Sequence, residues 1–313
     1  MIVRNTHHGQ RIAEYLQSVP FAVDPLDLYS AKTLYAGLDL TNPQTFMECY
    51  DQKVYQHFLQ KGKVTDDSME SLARNLHDFC ILQSLKRFVS KFPKCKVVAV
   101  MGGNAMRRDD KAYEKVARIS KQLTEDGSLM ISGGGSGAME ATGFGVWMAG
   151  RSECEFNDAL KLLAEVPCQE NSQYLQVAFD IICKYPQSEY KNLSIPTWLY
   201  GHEWTSPFAT HIAKLFENSI REDNILTFAY GGVIYAPGSA GTMQEIFQDA
   251  VQNHYLTFGY ASPMAFLGED YWTKEMPAYT LLEQLSERGK YRNMILSITD
   301  SPEELVNSIL SFK

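Results

Sequence analysis

Two glycine-rich stretches stand where a backbone could hold an anion. The first runs Ser132-Gly133-Gly134-Gly135-Ser136-Gly137-Ala138-Met139-Glu140-Ala141. The second runs Ala236-Pro237-Gly238-Ser239-Ala240-Gly241-Thr242-Met243-Gln244-Glu245. Each follows a short apolar run and opens an amphipathic pattern. Glycine lets the chain turn tightly and lets a ligand approach the backbone closely. The first N–H groups of the helix behind it are unpaired and partly positive, which suits phosphate. A tight structural turn would use the same residue types, so the ligand reading rests on the strand–glycine–helix setting. The candidate phosphate contacts are Gly133, Gly134, Gly135, Ser136, Gly137, Met139 and Glu140 in the first loop. In the second they are Gly238, Ser239, Ala240, Gly241 and Thr242.

Glu245 has chemistry to offer beside the second loop. At about 100° per residue, Met243, Ile246, Phe247, Ala250 and Val251 share one helix face, and Glu245 points nearly opposite, on the side of Thr242. That places a carboxylate on the first turn, off the predicted core face and near the anion. Simple complementing of the helix dipole is the competing role.

These loops need elements to hold them. From Lys96 onward, apolar runs recur at Val97–Met101, Ser128–Ser132, Ile195–Tyr200, Val233–Ala236, Met264–Leu267 and Met294–Ile298. Continuous apolar runs of this length read as strands buried on both faces. Helical patterns lie between most of them: Ala112, Val116, Ile119 and Leu123 mark one, and Ser301-Pro302-Glu303-Glu304 starts the last with an N-cap signal. Strands alternating with helices predict an α/β fold, a Rossmann-like, doubly wound, mainly parallel sheet. Both loops should then meet at its C-terminal edge. Residues 151–193 are long for one crossover and read as an insertion beside the site, with helical pieces at Ala159–Ala164 and Tyr174–Lys184. Residues 1–95 have a different texture, poor in glycine, and read as a helical N-terminal region preceding a domain of residues 96–313. Phe46–Lys61 and Asp67–Phe92 are its helices. Leu72, Leu76, Phe79, Leu82, Leu85 and Phe88 form the apolar stripe of the second.

At the two loops the sequence resembles the lonely-guy family of nucleoside-monophosphate phosphoribohydrolases, long mislabelled as lysine decarboxylases. The family's Gly-Gly-Gly-x-Gly-x-Met-Glu-Ala motif reads here from Gly133 to Ala141. Its Pro-Gly-Gly-x-Gly-Thr-x-x-Glu motif reads from Pro237 to Glu245, with Ser239 in place of the second glycine. The resemblance covers about residues 96–300. It implies hydrolysis of the N-glycosidic bond of a nucleoside 5′-monophosphate, giving free base and ribose 5-phosphate, with no metal or organic cofactor. It also implies at least a homodimer with sites near the interface. The family's catalytic pair is an arginine upstream of the second motif and that motif's last glutamate. These carry over to Arg221, sixteen residues before Pro237, and to Glu245. The residue after the arginine is commonly lysine; here it is Glu222. The family also contains members that only bind a nucleotide or cofactor, so a non-catalytic carrier is the alternative function.

Further candidates lie at other strand ends. Gly103, Asn104 and Arg107, with Arg108 beside it, follow the first strand and could approach phosphate. His202 follows the third. Composition excludes several classes. The net charge of −8 and pI near 5.4 disfavour gripping a nucleic acid polymer. No apolar run is long enough to span a bilayer, and the N-terminus lacks a signal-peptide core. The six cysteines show neither CxxC nor zinc-like spacing and read as reduced, mostly buried thiols. The expectation is a cytoplasmic protein.

Overall fold

The computed structural model describes residues 7–170 and 173–312. Four helices come first: α1 (His7–Ser18), α2 (Ala31–Leu34), α3 (Tyr50–Lys61) and α4 (Ser68–Val89). The alternating part follows: β1 (Val97–Met101), α5 (Lys111–Glu125), β2 (Leu129–Ser132), α6 (Ala138–Trp147), α7 (Glu153–Ala164), α8 (Tyr174–Lys184), β3 (Asn192–Ser194), β4 (His211–Ile212), α9 (Asn218–Phe228), β5 (Gly232–Tyr235), α10 (Ala240–Tyr255), β6 (Pro263–Leu267), α11 (Ala278–Glu287), β7 (Ile295–Thr299) and α12 (Pro302–Leu310).

The seven strands form one sheet in the order β4-β3-β2-β1-β5-β6-β7. Every strand pair is parallel. The order reverses between β1 and β5, the point where an open α/β sheet splays its loops apart and leaves a crevice. Helices cover both faces, so this is a Rossmann-like doubly wound fold. Side chains alternate accordingly along β1. Val98 and Val100 enter the core under α5, α6, α7, α8 and α12. Val97, Ala99 and Met101 enter the opposite core, which residues of α3, α4, α9, α10 and α11 complete. The N-terminal helices therefore share a core with the sheet.

Several sequence expectations need correction. The third strand is displaced: β3 starts at Asn192, and Trp198–Tyr200 is a 3-10 turn whose Leu199 N–H donates to Thr197 Oγ1 at 3.1 Å. Pro196 has no N–H to continue a ladder. A seventh strand, β4, is two residues long and was hidden behind the polar pair Thr210-His211. The first predicted helix also starts later, at Tyr50, after a 3-10 stretch. Finally, the stripe assigned to α4 holds only at its C-terminal end, where Leu85 and Phe88 are buried. Leu72 and Phe79 are exposed, while Glu70, Arg74, His77 and Asp78 are buried with Ala73, Ile81 and Leu85. The polar side chains are inside because each has a partner. Glu70 accepts from Arg74 Nε at 2.7 Å and Tyr15 at 2.8 Å. The cysteines are free, as expected, but only Cys49 is buried; Cys95, Cys154 and Cys183 are exposed. No helix among the described residues is long and apolar enough to cross a membrane.

Candidate functional site

The crevice at the switch point is built from the loops after β1, β2 and β5. They are stitched together by the backbone. Gly103 N–H donates to the Pro237 carbonyl at 2.9 Å, and Ala138 N–H donates to the Gly103 carbonyl at 3.1 Å. Ser136 Oγ donates to the Asn104 carbonyl at 2.9 Å. Tyr271, in the single wide turn after β6, donates its hydroxyl to the Gly238 carbonyl at 2.6 Å. Gly238 has no room for a side chain: a Cβ would lie 2.2 Å from Thr242 Oγ1 and 2.8 Å from Gly103 N.

A cavity of about 390 Å³ opens here, lined by Gly103, Asn104, Met139, Arg221, Glu245 and the Ser239–Thr242 helix start, with Tyr200, Glu203, Glu222 and Gln244. The first helical N–H groups of α10 have no partner within the helix, so they are offered to this space. Ser239 sits at φ −114°, so serine meets no positive-φ penalty in place of the motif's glycine. Gly133, Gly134 and Gly135 line a smaller hollow of about 30 Å³ that shares Met139, Tyr200, Glu203 and Arg221 with the larger one.

Arg221 stands between the two. Its Nε donates to the Ile195 carbonyl at 3.0 Å. A Cβ on Gly133 would lie 2.2 Å from its Nη2, so the first loop is a seat for the guanidinium. Nη1 lies 3.9 Å from Oε1 of both Glu222 and Glu245. That is ion-pair reach but longer than a direct hydrogen bond. Glu222 is engaged elsewhere too, accepting from Asn218 at 2.8 Å and Gln244 at 2.5 Å.

Glu245 is on the buried side of α10, with Thr242, Ile246, Asp249 and Ala250, whereas Val251 is exposed. The expectation that it points off the core face is thus corrected: the inward surface of α10 is wider than its apolar residues and includes two carboxyls. Burial pushes Glu245 up to about 7; Arg221 opposes that rise and Glu222 adds to it. One turn on, Asp249 accepts from the Tyr235 hydroxyl at 2.8 Å and is likewise raised to about 7 by burial.

The segment leading into α9 is anchored by the N-terminal helices. Asp51 of α3 pairs with the buried Lys214 at 2.8 Å and accepts from Trp198 Nε1 at 2.8 Å. Asp78 of α4 accepts from the N–H groups of Phe216 and Glu217 at 3.0 and 2.9 Å. A carboxylate at the start of α9 also complements the helix dipole, and so helps fix the turn that carries Arg221.

Some candidates lie elsewhere. Glu140 is buried and grips Arg108 and the Tyr174 hydroxyl. A buried guanidinium needs such a counter-charge, so this pair is structural. Arg107 is turned to Asp109 at 2.8 Å. His202 is exposed and lines neither hollow. Its neighbour Glu203 does line them and accepts from Asn104 Nδ2 at 2.6 Å. Glu203, Tyr200 and Gln244 were missed. Their only signal was position, immediately after a strand end or inside the second motif.

Parallel-sheet topology and a crevice at the switch point define the chain as a doubly wound α/β protein with a cavity at the carboxyl ends of its strands. No protein-family model and no curated protein matches the sequence. Solved structures of similar shape exist. A molybdenum cofactor binding protein from Rippkaea orientalis is 15% identical with a TM-score of 0.44, the match covering 69% of this chain and 95% of that one. The X-ray structure of TM1055, a structural genomics target, is 19% identical with a TM-score of 0.44, covering 69% and 99%.

Proposed function

We propose that the crevice hydrolyses the N-glycosidic bond of a nucleoside 5′-monophosphate. The observation that carries this is the approach of Arg221 to the buried carboxyl of Glu245 beside the start of α10. In this reading the phosphate sits on the N–H groups of Ala240, Gly241 and Thr242, with the Ser239 hydroxyl as a further donor. Arg221 binds an oxygen in the gap it leaves to Glu245. The ionised Glu245 lies under the anomeric carbon, stabilises the positive charge that grows on the sugar, and orients the attacking water. The C1′–N bond breaks with its electron pair going to the base. The water oxygen bonds C1′, one water proton reaches the base, and free base and ribose 5-phosphate result. The protein needs no cofactor for this, and a homodimer places two such sites in one particle.

The second reading is a carrier that holds a nucleotide-like ligand intact. Glu203, Glu222 and Glu245 set three carboxylates against one guanidinium in the cavity, an unfavourable balance for a phosphate dianion in turnover. Base release from a panel of nucleoside monophosphates separates the two. Release supports hydrolysis; binding without release from any of them selects the carrier.

Gly241 offers a clean probe of the phosphate position. Gly241 lines the cavity and no atom lies within 4 Å of a Cβ built there, so Gly241→Val adds bulk beside the helix start without crowding the fold. Adenosine monophosphate affinity measured by calorimetry should fall by about tenfold or more, with an unchanged thermal midpoint. Undiminished affinity would move the phosphate off this helix start.

A further inference from the structure

A second, larger cavity lies away from the glycine loops, beyond the outer edge of the sheet. It measures about 690 Å³, within the range of sites that hold small organic ligands. It opens between α2, α8 and β4. Its wall is apolar, formed by Tyr35, Leu38, Trp147, Phe179, Ile182 and Ala209, and Lys32, Lys191 and His211 stand at its margin. A second hollow of about 270 Å³ shares Ser30, Thr210 and His211 with it and adds Arg87 and Lys91. The two hollows adjoin along β4, and Lys32, Lys191, Arg87 and Lys91 surround an apolar wall.

The charge is uncompensated. Asp27 is the one acidic residue lining either hollow. Among the described residues, no carboxylate lies within 4.0 Å of Lys32, Arg87, Lys91 or Lys191. Their own contacts do not neutralise them: Lys191 donates to the Ser188 carbonyl, Arg87 to the Leu26 carbonyl at 2.8 Å, and Lys91 lies 5.9 Å from the Phe88 ring. His211 stacks on Phe88 with ring centroids 4.1 Å apart. Burial, then Lys191 and Lys91, push it down to about 4, so it is neutral near pH 7 and the neighbouring field is positive. Four such cations around one groove are notable in a chain of net charge −8. Inorganic phosphate would use the basic margin and leave the apolar wall wet. An uncharged lipid would do the reverse. A carboxylate on an apolar chain satisfies both.

We propose that this groove is a second ligand site that takes a medium-chain carboxylate, its head at Lys32 and Lys191 and its chain against Trp147, Phe179 and Ile182. The proposal is independent of the reaction assigned to the glycine loops.

The test uses the full chain with decanoate, decanol and inorganic phosphate. Decanoate should bind saturably and change the fluorescence of Trp147, a change lost in Trp147→Phe. Decanol and phosphate should each bind about tenfold more weakly or worse. The double variant Lys32→Glu/Lys191→Glu should weaken decanoate by a similar factor while circular dichroism and nucleotide binding stay unchanged. Ala36→Trp, at an exposed position on the cavity wall, should block the apolar wall. Absence of saturable decanoate binding, equal binding of decanol, or full affinity in the charge-reversed variant would each overturn the proposal.

Discussion

Glu245→Gln is expected to lower base release from adenosine monophosphate by ~10²-fold or more, because an electrostatic contact to the transition state is removed. Binding of the nucleotide should survive, since backbone N–H groups hold the phosphate. Glutamine keeps the size and loses the charge. The wild-type rate should also depend on pH in a stated direction. The carboxylate is the active form and burial holds its midpoint near 7, so turnover should rise as pH passes upward through about 7, and the variant should lose that rise. Stability moves the other way. A carboxyl raised above its unfolded value stabilises the fold fully below about 4.5 and loses that contribution as pH climbs through 7. Glu245→Gln should therefore resist urea better than the wild type at pH 8, by on the order of 3 kcal/mol at most, and the gap should close at pH 4.5. Equal turnover of wild type and variant would remove Glu245 from the chemistry. A variant less stable at pH 8 would contradict a buried carboxyl that costs stability when ionised.

Arg221→Ala is expected to impair both steps. It deletes the ligand for a phosphate or ribose oxygen, so affinity should fall. It also deletes the one charge that opposes the upward shift of Glu245, so more of the enzyme is protonated at pH 7 and turnover should drop by more than ~10²-fold. Arg221→Lys should rescue poorly. The planar group is seated against Gly133 and tied through Nε to the Ile195 carbonyl, and an ammonium cannot reproduce that fork. Calorimetry for binding and base release for turnover read the two effects separately. Wild-type affinity in Arg221→Ala would place the phosphate out of its reach.

What could be read before the fold was known follows from which signals are local. Runs such as Val97–Met101 announce a strand by themselves, and a glycine cluster between a strand and a helix announces a loop at the sheet's carboxyl edge. Which side chains enter that loop's cavity is a long-range property. Glu140 belongs to a motif yet turns away, because Arg108, thirty-two residues earlier, needs its charge. Glu203 carries no motif and turns in. Periodicity misled on α4 and α10 for one reason: it assumes that only apolar residues are buried, whereas these helices bury Asp78 and Glu245. Asp78 meets N–H donors that no local pattern reveals.

The Asp51–Lys214 and Asp78–Glu217 contacts have a practical consequence for anyone dissecting the chain. The composition changes at Lys96, which makes it an inviting place to start a shortened protein. A fragment starting there would keep both glycine loops and both proposed catalytic side chains. It would also remove the carboxylate partner of Lys214 and strip the acceptor from the start of the arginine-bearing helix. The sheet face now under α3 and α4 would become an adhesive surface. Such a fragment would precipitate or lose its ligand, and its silence in an assay would say nothing about the chemistry of the intact molecule.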